Sequence, residues 1–277
     1  MKNILLLTDF SKNSINAIRY ALNLFENDIC TFHILNVRSP SGYAAVDLIS
    51  ADHESIYDNV IKKTKHKIYK LIVKLENEFE NKNFSYDTLV SYNDFVAVIN
   101  QIKKIKKIDL IVMGTNGATG AKEVIFGSNT INVLRKVNCP TLVIPEGCIY
   151  KLPKEILLPL DILDSLSGNA FKKLLVFAKN FTNTLHILRI KPTNEISIEE
   201  KNDKENISKF SKKLSFKYYR ISNVPMQYAV SFYMQTHSID LISLLVEKES
   251  FFDRFFTGSS TTKISYTINK PLLVFHN

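Results

Sequence analysis

The chain has 277 residues and a formal net charge of +9, with 45% hydrophobic and 23% charged residues. This length suggests one large domain or two small ones, and the composition excludes a largely disordered or fibrous protein. Thirty of the 36 basic residues are lysines scattered among apolar residues, which favours solvated helix faces over a nucleic-acid footprint. No apolar run reaches the roughly 18 residues of a membrane span, so we expect a cytoplasmic protein without membrane contact.

Short apolar runs alternate with amphipathic segments along the first half. We predict strands at residues 3–8, 30–37, 84–90, 108–114 and 141–145. Helical spacing fills the intervals: Ser11 is expected to cap the first helix, Asn93 or Asp94 the third, and a short helix begins at Ser128. Continuous apolar strands separated by helices predict an α/β fold, a parallel sheet wound with helices on both faces.

The same pattern occurs twice. The run Ile-Asp-Leu-Ile at 108–111 returns at 239–242, and the same offset carries Gly127-Ser128 onto Gly258-Ser259. The start of the chain, 4–9, is similar to 156–161. We therefore predict two domains, at residues 1–148 and 152–277, each with a doubly wound parallel sheet of five strands. Strands of the second copy are expected near 155–160, 184–190, 216–221, 239–244 and 272–276.

Glycines concentrate in the segment from Met113 to Thr130, where Gly114 ends a predicted strand and Ser128 opens a predicted helix. Glycine permits a ligand to approach the backbone, and a helix N-terminus offers unpaired N–H groups that bind phosphate. Asp9 ends the first strand and is expected to face the same crevice. The spacing fits equally a tight loop with an ordinary serine N-cap, and the two common nucleotide-binding glycine motifs are absent.

Four segments resemble tandem universal stress proteins: Leu7 to Ser11, Met113 to Gly117, Gly127 to Thr130 and Cys139 to Ile144. The resemblance covers nearly the whole chain and is stronger in the first copy. It implies a Rossmann-like fold of the adenine nucleotide alpha hydrolase type. It also implies ATP or AMP, with or without magnesium, bound in the first domain.

The resemblance assigns a position around the nucleotide to each matching residue. Thr8 and Asp9 would lie beside the nucleoside, and Val37 would meet adenine through its backbone. The ribose and phosphates would contact Met113, Gly114, Asn116, Gly117, Gly127, Ser128, Asn129 and Thr130. Asn116 and Ala118 stand where the family often has basic residues, so triphosphate binding is expected to be weaker.

The second copy lacks these features. Leu245 aligns with Gly114 and Lys248 with Gly117, and Glu247 and Glu249 would repel phosphate. We therefore expect no nucleotide there, and Asp161 to be a relic of the site or a structural cap.

Three functions remain compatible with the sequence. One is a nucleotide-dependent regulatory or interaction module of the stress response, with unidentified protein partners. The others are a weak ATPase or adenylyl hydrolase, and a nucleotide-free scaffold. The glycine loop holds one carboxylate, Glu123, so we expect no dedicated catalysis and at most slow hydrolysis.

Universal stress proteins commonly dimerise through the last strand of each domain. Here we expect residues 141–145 and 272–276 to pair antiparallel within the chain, forming an intramolecular pseudo-dimer, because an unpaired apolar edge strand promotes aggregation. A homodimer of two such chains is left open.

Overall fold

A computed structural model describes residues 1–38, 53–80, 82–115, 126–161, 164–182, 184–192, 196, 198–210, 214–246 and 269–276. The first half contains five strands and four helices: β1 (Lys2–Leu7), α1 (Lys12–Leu24), β2 (Cys30–Val37), α2 (His53–Phe79), β3 (Phe84–Ser91), α3 (Phe95–Lys106), β4 (Leu110–Gly114), α4 (Ser128–Lys136) and β5 (Thr141–Ile144). The second half contains β6 (Glu155–Leu160), α5 (Asn169–Phe181), β7 (Thr184–Lys191), α6 (Ile198–Phe210), β8 (Ser215–Ser222), α7 (Met226–Thr236), β9 (Leu241–Val246) and β10 (Leu272–His276).

All ten strands form one sheet, in the order β3-β2-β1-β4-β5-β10-β9-β6-β7-β8. Neighbouring strands are parallel within each half. The two halves meet at β5 and β10, which are antiparallel and pair Leu272 with Val143 and Val274 with Thr141. The expected α/β fold and the expected pairing of the last strands are therefore confirmed.

Residues of one strand alternate between the two faces of the sheet, and each face has its own core. In β1, Ile4 and Leu6 belong to the core that includes α1 and α2, whereas Leu5 and Leu7 belong to the core that includes α3 and α4. All four side chains are at most 5% exposed. Burial on both faces explains why this strand reads as a continuous apolar run.

The Ile-Asp-Leu-Ile run marks a structural junction that is present in both halves. The backbone N–H of Asn3 donates to Asp109 Oδ2 at 2.8 Å, and that of Glu155 donates to Asp240 Oδ2 at 3.1 Å. Each aspartate thus fastens the beginning of the central strand of its half. Two predicted strand boundaries are therefore wrong. β4 begins at Leu110 and β9 at Leu241, two residues later than predicted, because the preceding Ile-Asp pair forms the junction.

Among the described residues, no helix is both long enough and apolar enough to cross a membrane.

Candidate functional site

A crevice opens at the carboxyl ends of β1 and β4 in the first half. Its described wall comes from β1, β2, β4, the loop after β1 and the first turns of α1, α3 and α4: Leu7, Thr8, Asp9, Ser11, Asn13, Ser14, Leu35, Val37, Phe95, Met113, Gly114, Thr115, Asn129 and Thr130. β1 pairs with β2 on one side and β4 on the other, so the chain winds in opposite directions from this point. Such a switch point is where open α/β sheets bind ligands.

A chain of hydroxyl groups holds the loop between β1 and α1. Ser11 is the N-cap of α1, as predicted, and its side chain accepts from the Ser14 N–H at 3.2 Å. The Ser14 hydroxyl in turn lies 2.9 Å from Thr8 Oγ1, which also accepts from the Phe10 N–H at 2.9 Å. Phe10 has a φ of 67°, the left-handed region that nonglycine residues rarely adopt. These bonds fix the loop as one wall of the crevice.

Asp9 lies in this loop as a carboxylate. Burial alone would raise its pKa, but hydrogen bonds from the Ser11 side chain and backbone and from Ser14 outweigh burial and lower the pKa below its ordinary value. The backbone N–H of Ser11 donates to Asp9 Oδ1 at 2.9 Å. At neutral pH the site therefore presents an ionised acceptor.

Helix α1 contacts the end of β4 through Asn13. The Asn13 amide donates to the Thr115 carbonyl and lies 3.4 Å from the Thr115 hydroxyl. A Cβ on Gly114 would lie 2.9 Å from Asn13 Cγ and 3.2 Å from the Asn13 backbone carbonyl carbon. The amide oxygen, Asn13 Oδ1, is buried and has no hydrogen-bond partner among the described residues. This acceptor is shielded from the crevice, so its burial belongs to the packing of α1 against β4.

Helix α4 points its N-terminus toward the same end of the sheet. Gly127 is the N-cap, with φ −64° and ψ 159°, and as a glycine it provides no side-chain cap for the first-turn N–H groups. Ser128 is the first helical residue, so the ordinary serine N-cap considered from the sequence is wrong. Thr130, in the first turn, donates its hydroxyl to the Gly114 carbonyl at 3.4 Å. Uncapped N–H groups at a helix N-terminus favour an anion.

The structure brings together most of the residues assigned from the sequence. Seven line the crevice: Thr8, Asp9, Val37, Met113, Gly114, Asn129 and Thr130. Gly127 and Ser128 begin α4 without forming part of the described wall. Asn116 and Gly117 lie outside the described residues. The sequence analysis missed several wall residues, notably Asn13, Ser14 and Phe95, although the Ser11 N-cap places Asn13 and Ser14 in the first turn beside Asp9.

The corresponding end of the second half is built differently. His33 on β2 and His186 on β7 occupy equivalent positions, opposite Leu5 and Leu157. Three residues further along, β2 carries Asn36 and β7 carries Arg189. Asn36 donates to the Thr8 carbonyl at 2.7 Å, whereas the fully buried Arg189 donates to the carbonyls of Asp161 and Asp164. Asp161 takes part in this network through its backbone carbonyl, so the choice between a relic of the site and a structural cap stays open for its side chain.

The Arg189 guanidinium also bonds a carboxylate from α6. Its Nε and terminal nitrogen donate to Asp203 Oδ2 at 3.0 and 2.6 Å, and the Tyr218 hydroxyl donates to the same oxygen at 2.8 Å. Leu245, which aligns with Gly114, is 1% exposed. A buried ion pair and a leucine thus occupy positions where the first half has an amide and a glycine. The aligned Lys248 and the Gly258-Ser259 pair lie outside the described residues.

Comparison with known proteins gives a consistent result. Residues 1–145 match the sequence model of the universal stress protein family. Universal stress protein MJ0531 of Methanocaldococcus jannaschii is 30% identical over 151 residues, 52% of this chain and 82% of that protein. Universal stress protein MJ0577 of the same organism is 28% identical over 158 residues, 52% of this chain and 94% of that protein.

A solved structure extends the likeness to both halves. The crystal structure of a universal stress protein from Archaeoglobus fulgidus has a TM-score of 0.68 and covers 99% of this chain and 96% of that chain. The sequence identity is 16%, so this likeness concerns the fold.

Proposed function

Because the chain belongs to the universal stress protein family, we propose that its first half binds ATP or AMP in the crevice between β1 and β4. The observation that carries the proposal is the position of the crevice at the carboxyl ends of β1 and β4, beside the glycine-capped N-terminus of α4. The ionised Asp9 offers an acceptor for a ribose hydroxyl on the wall of this crevice.

The wall residues divide by chemistry in the way that a nucleotide requires. Leu35, Val37 and Phe95 are apolar and suit the base. The uncapped N-terminus of α4, with the Thr130 hydroxyl, suits the phosphates. Asn116 and Gly117 are proposed to contact the phosphates, as the family resemblance implies. A magnesium ion would arrive with ATP, held mainly by phosphate oxygens, because Asp9 is the only carboxylate in the described wall.

The same chemistry favours binding over catalysis. Efficient general base catalysis needs a group whose pKa lies near the working pH, and the pKa of Asp9 is lowered. We therefore propose no dedicated catalysis and at most slow ATP hydrolysis.

In the cell we propose that nucleotide binding regulates the contacts of this protein with other proteins during the stress response. Bound nucleotide would change the surface offered to a partner. A cytoplasmic location agrees with three free thiols, at Cys30, Cys139 and Cys148, of which the first two are buried. We also propose the two domain boundaries stated above, at residues 1–148 and 152–277.

Calorimetric titration of the full chain with ATP and with AMP tests the proposal. We expect a stoichiometry near one, because the second half carries Leu245 in place of Gly114. Gly117→Val should abolish binding by filling phosphate space, and the control change Gly258→Ala in the second half should leave it unaltered. Two equal sites would contradict the asymmetry, and no binding would favour the scaffold function. Phosphate release in the same samples measures hydrolysis.

A further inference from the structure

We propose that a groove between the two halves binds a long-chain carboxylate, with the alkyl chain along α5 and the carboxylate at a cluster of lysines. The groove lies at the amino ends of β1, β4 and β5, where Lys2, Leu110 and Pro140 line it. It is therefore at the opposite end of the sheet from the nucleotide crevice. Helix α5 of the second half forms the other wall, so the groove exists only because β5 and β10 join the halves.

The size of the groove suits a small amphipathic molecule. Its cavity volume is about 770 Å³, within the roughly 300–1,000 Å³ of ligand pockets. Helix α5 presents one face along its whole length, from Asn169 to Phe181, which is about 18 Å at 1.5 Å per residue. An extended alkyl chain can follow such a face.

One end of the groove is aromatic. Phe25 at the end of α1 and Phe181 at the end of α5 meet edge to face, with ring centroids 5.8 Å apart. Phe177 lies one turn before Phe181 on the same wall, 4.9 Å from it between centroids. Val176 continues the apolar wall and is 63% exposed. Exposed apolar surface of this kind gains free energy when a hydrocarbon covers it.

The other end carries positive charge. Lys103 Nζ donates to the Asn138 carbonyl and Lys173 Nζ to the His276 carbonyl, each at 3.1 Å. The antiparallel register of β5 and β10 brings these two carbonyls to one corner. Both ammonium groups also act electrostatically on the Cys139 thiol, which lines the groove. Two cations therefore converge where the polar head of a ligand would lie.

The described wall balances the positive charge at this corner only in part. Lys103 and Lys173 bond neutral carbonyls, and Lys172 beside them has no ion-pair partner in the part of the chain that the structure describes. Lys2, at the aromatic end, pairs with Asp28 at 2.6 Å. The one carboxylate of the described wall, Asp109, also acts on the Cys139 thiol, so the lysines of this corner outnumber the carboxylate. A monoanionic head group is the complementary charge, and a hydrocarbon tail matches the aromatic end.

The test is a calorimetric titration of the full chain with dodecanoate. We expect saturable binding of one molecule per chain. Decanoate should bind about tenfold more weakly, because each buried methylene changes Kd about three- to fourfold. Dodecanol, which has the same chain without the charge, should bind at least tenfold more weakly than dodecanoate. Equal binding of the alcohol would overturn the assignment of the lysine corner.

Two pairs of variants locate the site. Val176→Glu and Lys172→Glu should each weaken dodecanoate binding at least tenfold. Their controls, Val73→Glu on α2 and Lys201→Glu on α6, should bind like the original chain. All four positions are exposed, so unchanged thermal unfolding is expected and is measured alongside. Binding that survives Val176→Glu, or that ATP displaces, would overturn the proposal, since the ligand would then lie elsewhere.

Discussion

Gly114 lies so close to Asn13 that no larger residue fits without displacing the Asn13 side chain and slightly shifting its backbone. A Cβ at Gly114 would come within 2.8 Å of the Asn13 side-chain nitrogen and 3.2 Å of the Asn13 backbone carbonyl carbon. The contact joins the first turn of α1 to the last residue of β4. This glycine is therefore needed for the packing of α1 as well as for any ligand that approaches β4.

Gly114→Ala is expected to destabilise the chain by about 1–3 kcal/mol, the usual cost of overpacking a rigid contact. It should also weaken nucleotide binding, because α1 carries the loop with Asp9. Urea unfolding and calorimetric titration with ATP measure the two effects. Adding Asn13→Ala to Gly114→Ala should recover part of the stability, since the side-chain clash is removed and the backbone contact remains. A fully stable single variant would contradict the packing argument.

His276 makes the stability of the fold depend on pH. Its Nε2–H donates to the Leu134 carbonyl at 2.7 Å. Burial lowers its pKa, Lys173 and Lys103 lower it further, and the bond to Leu134 opposes them. The folded chain thus takes up a proton at lower pH than the unfolded chain, so stability should fall as pH drops below about 6.5.

His276→Gln keeps a donor for Leu134 but cannot titrate in this range. The decrease of the urea midpoint from pH 7.5 to pH 5.5 should be smaller in this variant than in the original chain. His66→Gln, at an exposed position on α2, is the control and should show the original decrease. If His276→Gln followed the control, the imidazole would not be the source of the pH dependence.

The junction of β5 and β10 should couple the unfolding of the two halves. Val143 is fully buried and pairs with Leu272. Val143→Lys places an ammonium group in this junction and is expected to cost about 3 kcal/mol or more. We expect one cooperative transition at a lower urea concentration. Fluorescence and circular dichroism measure the unfolding. Val73→Lys on α2 should change the midpoint far less; two separate transitions at the original midpoints would show that the halves are independent.

The buried pair of Arg189 and Asp203 should matter far more than a similar pair at the surface. Both side chains are at most 1% exposed. Asp203→Ala leaves a buried guanidinium without its carboxylate and should cost about 3–5 kcal/mol. The bidentate pair of Arg19 and Glu78 is partly exposed, so Glu78→Ala should cost about 1 kcal/mol or less. Equal losses in urea unfolding would contradict this ranking.

The sequence predicts the elements well where burial alone determines them. The expected strands at 30–37, 155–160 and 272–276 agree with β2, β6 and β10 residue for residue, because strands covered on both faces are largely apolar. Boundaries that depend on a single hydrogen bond were missed. Ile239 is as apolar as a strand residue, but its N–H bonds the His237 carbonyl, and Asp240 fastens Glu155 instead of entering β9.

The site was predictable in outline only. Glycine spacing and the ends of strands indicated the crevice, because those features are local in sequence. Asn13 and Phe95 belong to different helices and meet the crevice only through the winding of the sheet. The ion-pair partner of Arg189 was equally unpredictable. The sequence shows a charged residue within an apolar strand, but it does not show that Asp203, on α6, pairs with it. The groove beside Val176 requires the relative position of both halves, which no local pattern contains.

The antiparallel pairing of β5 with β10 has an evolutionary consequence. In a dimer of identical chains, every substitution at the shared edge occurs in both chains, so the substituted strand must pair with an identical strand. Here the two edges have different sequences and are linked at a high effective concentration, so they cannot exchange partners or separate on dilution. One half is therefore free to lose its glycines and acquire a buried ion pair while the other keeps an open crevice. The chain thus combines two different domains in a fixed pair, as a heterodimer does, within one polypeptide.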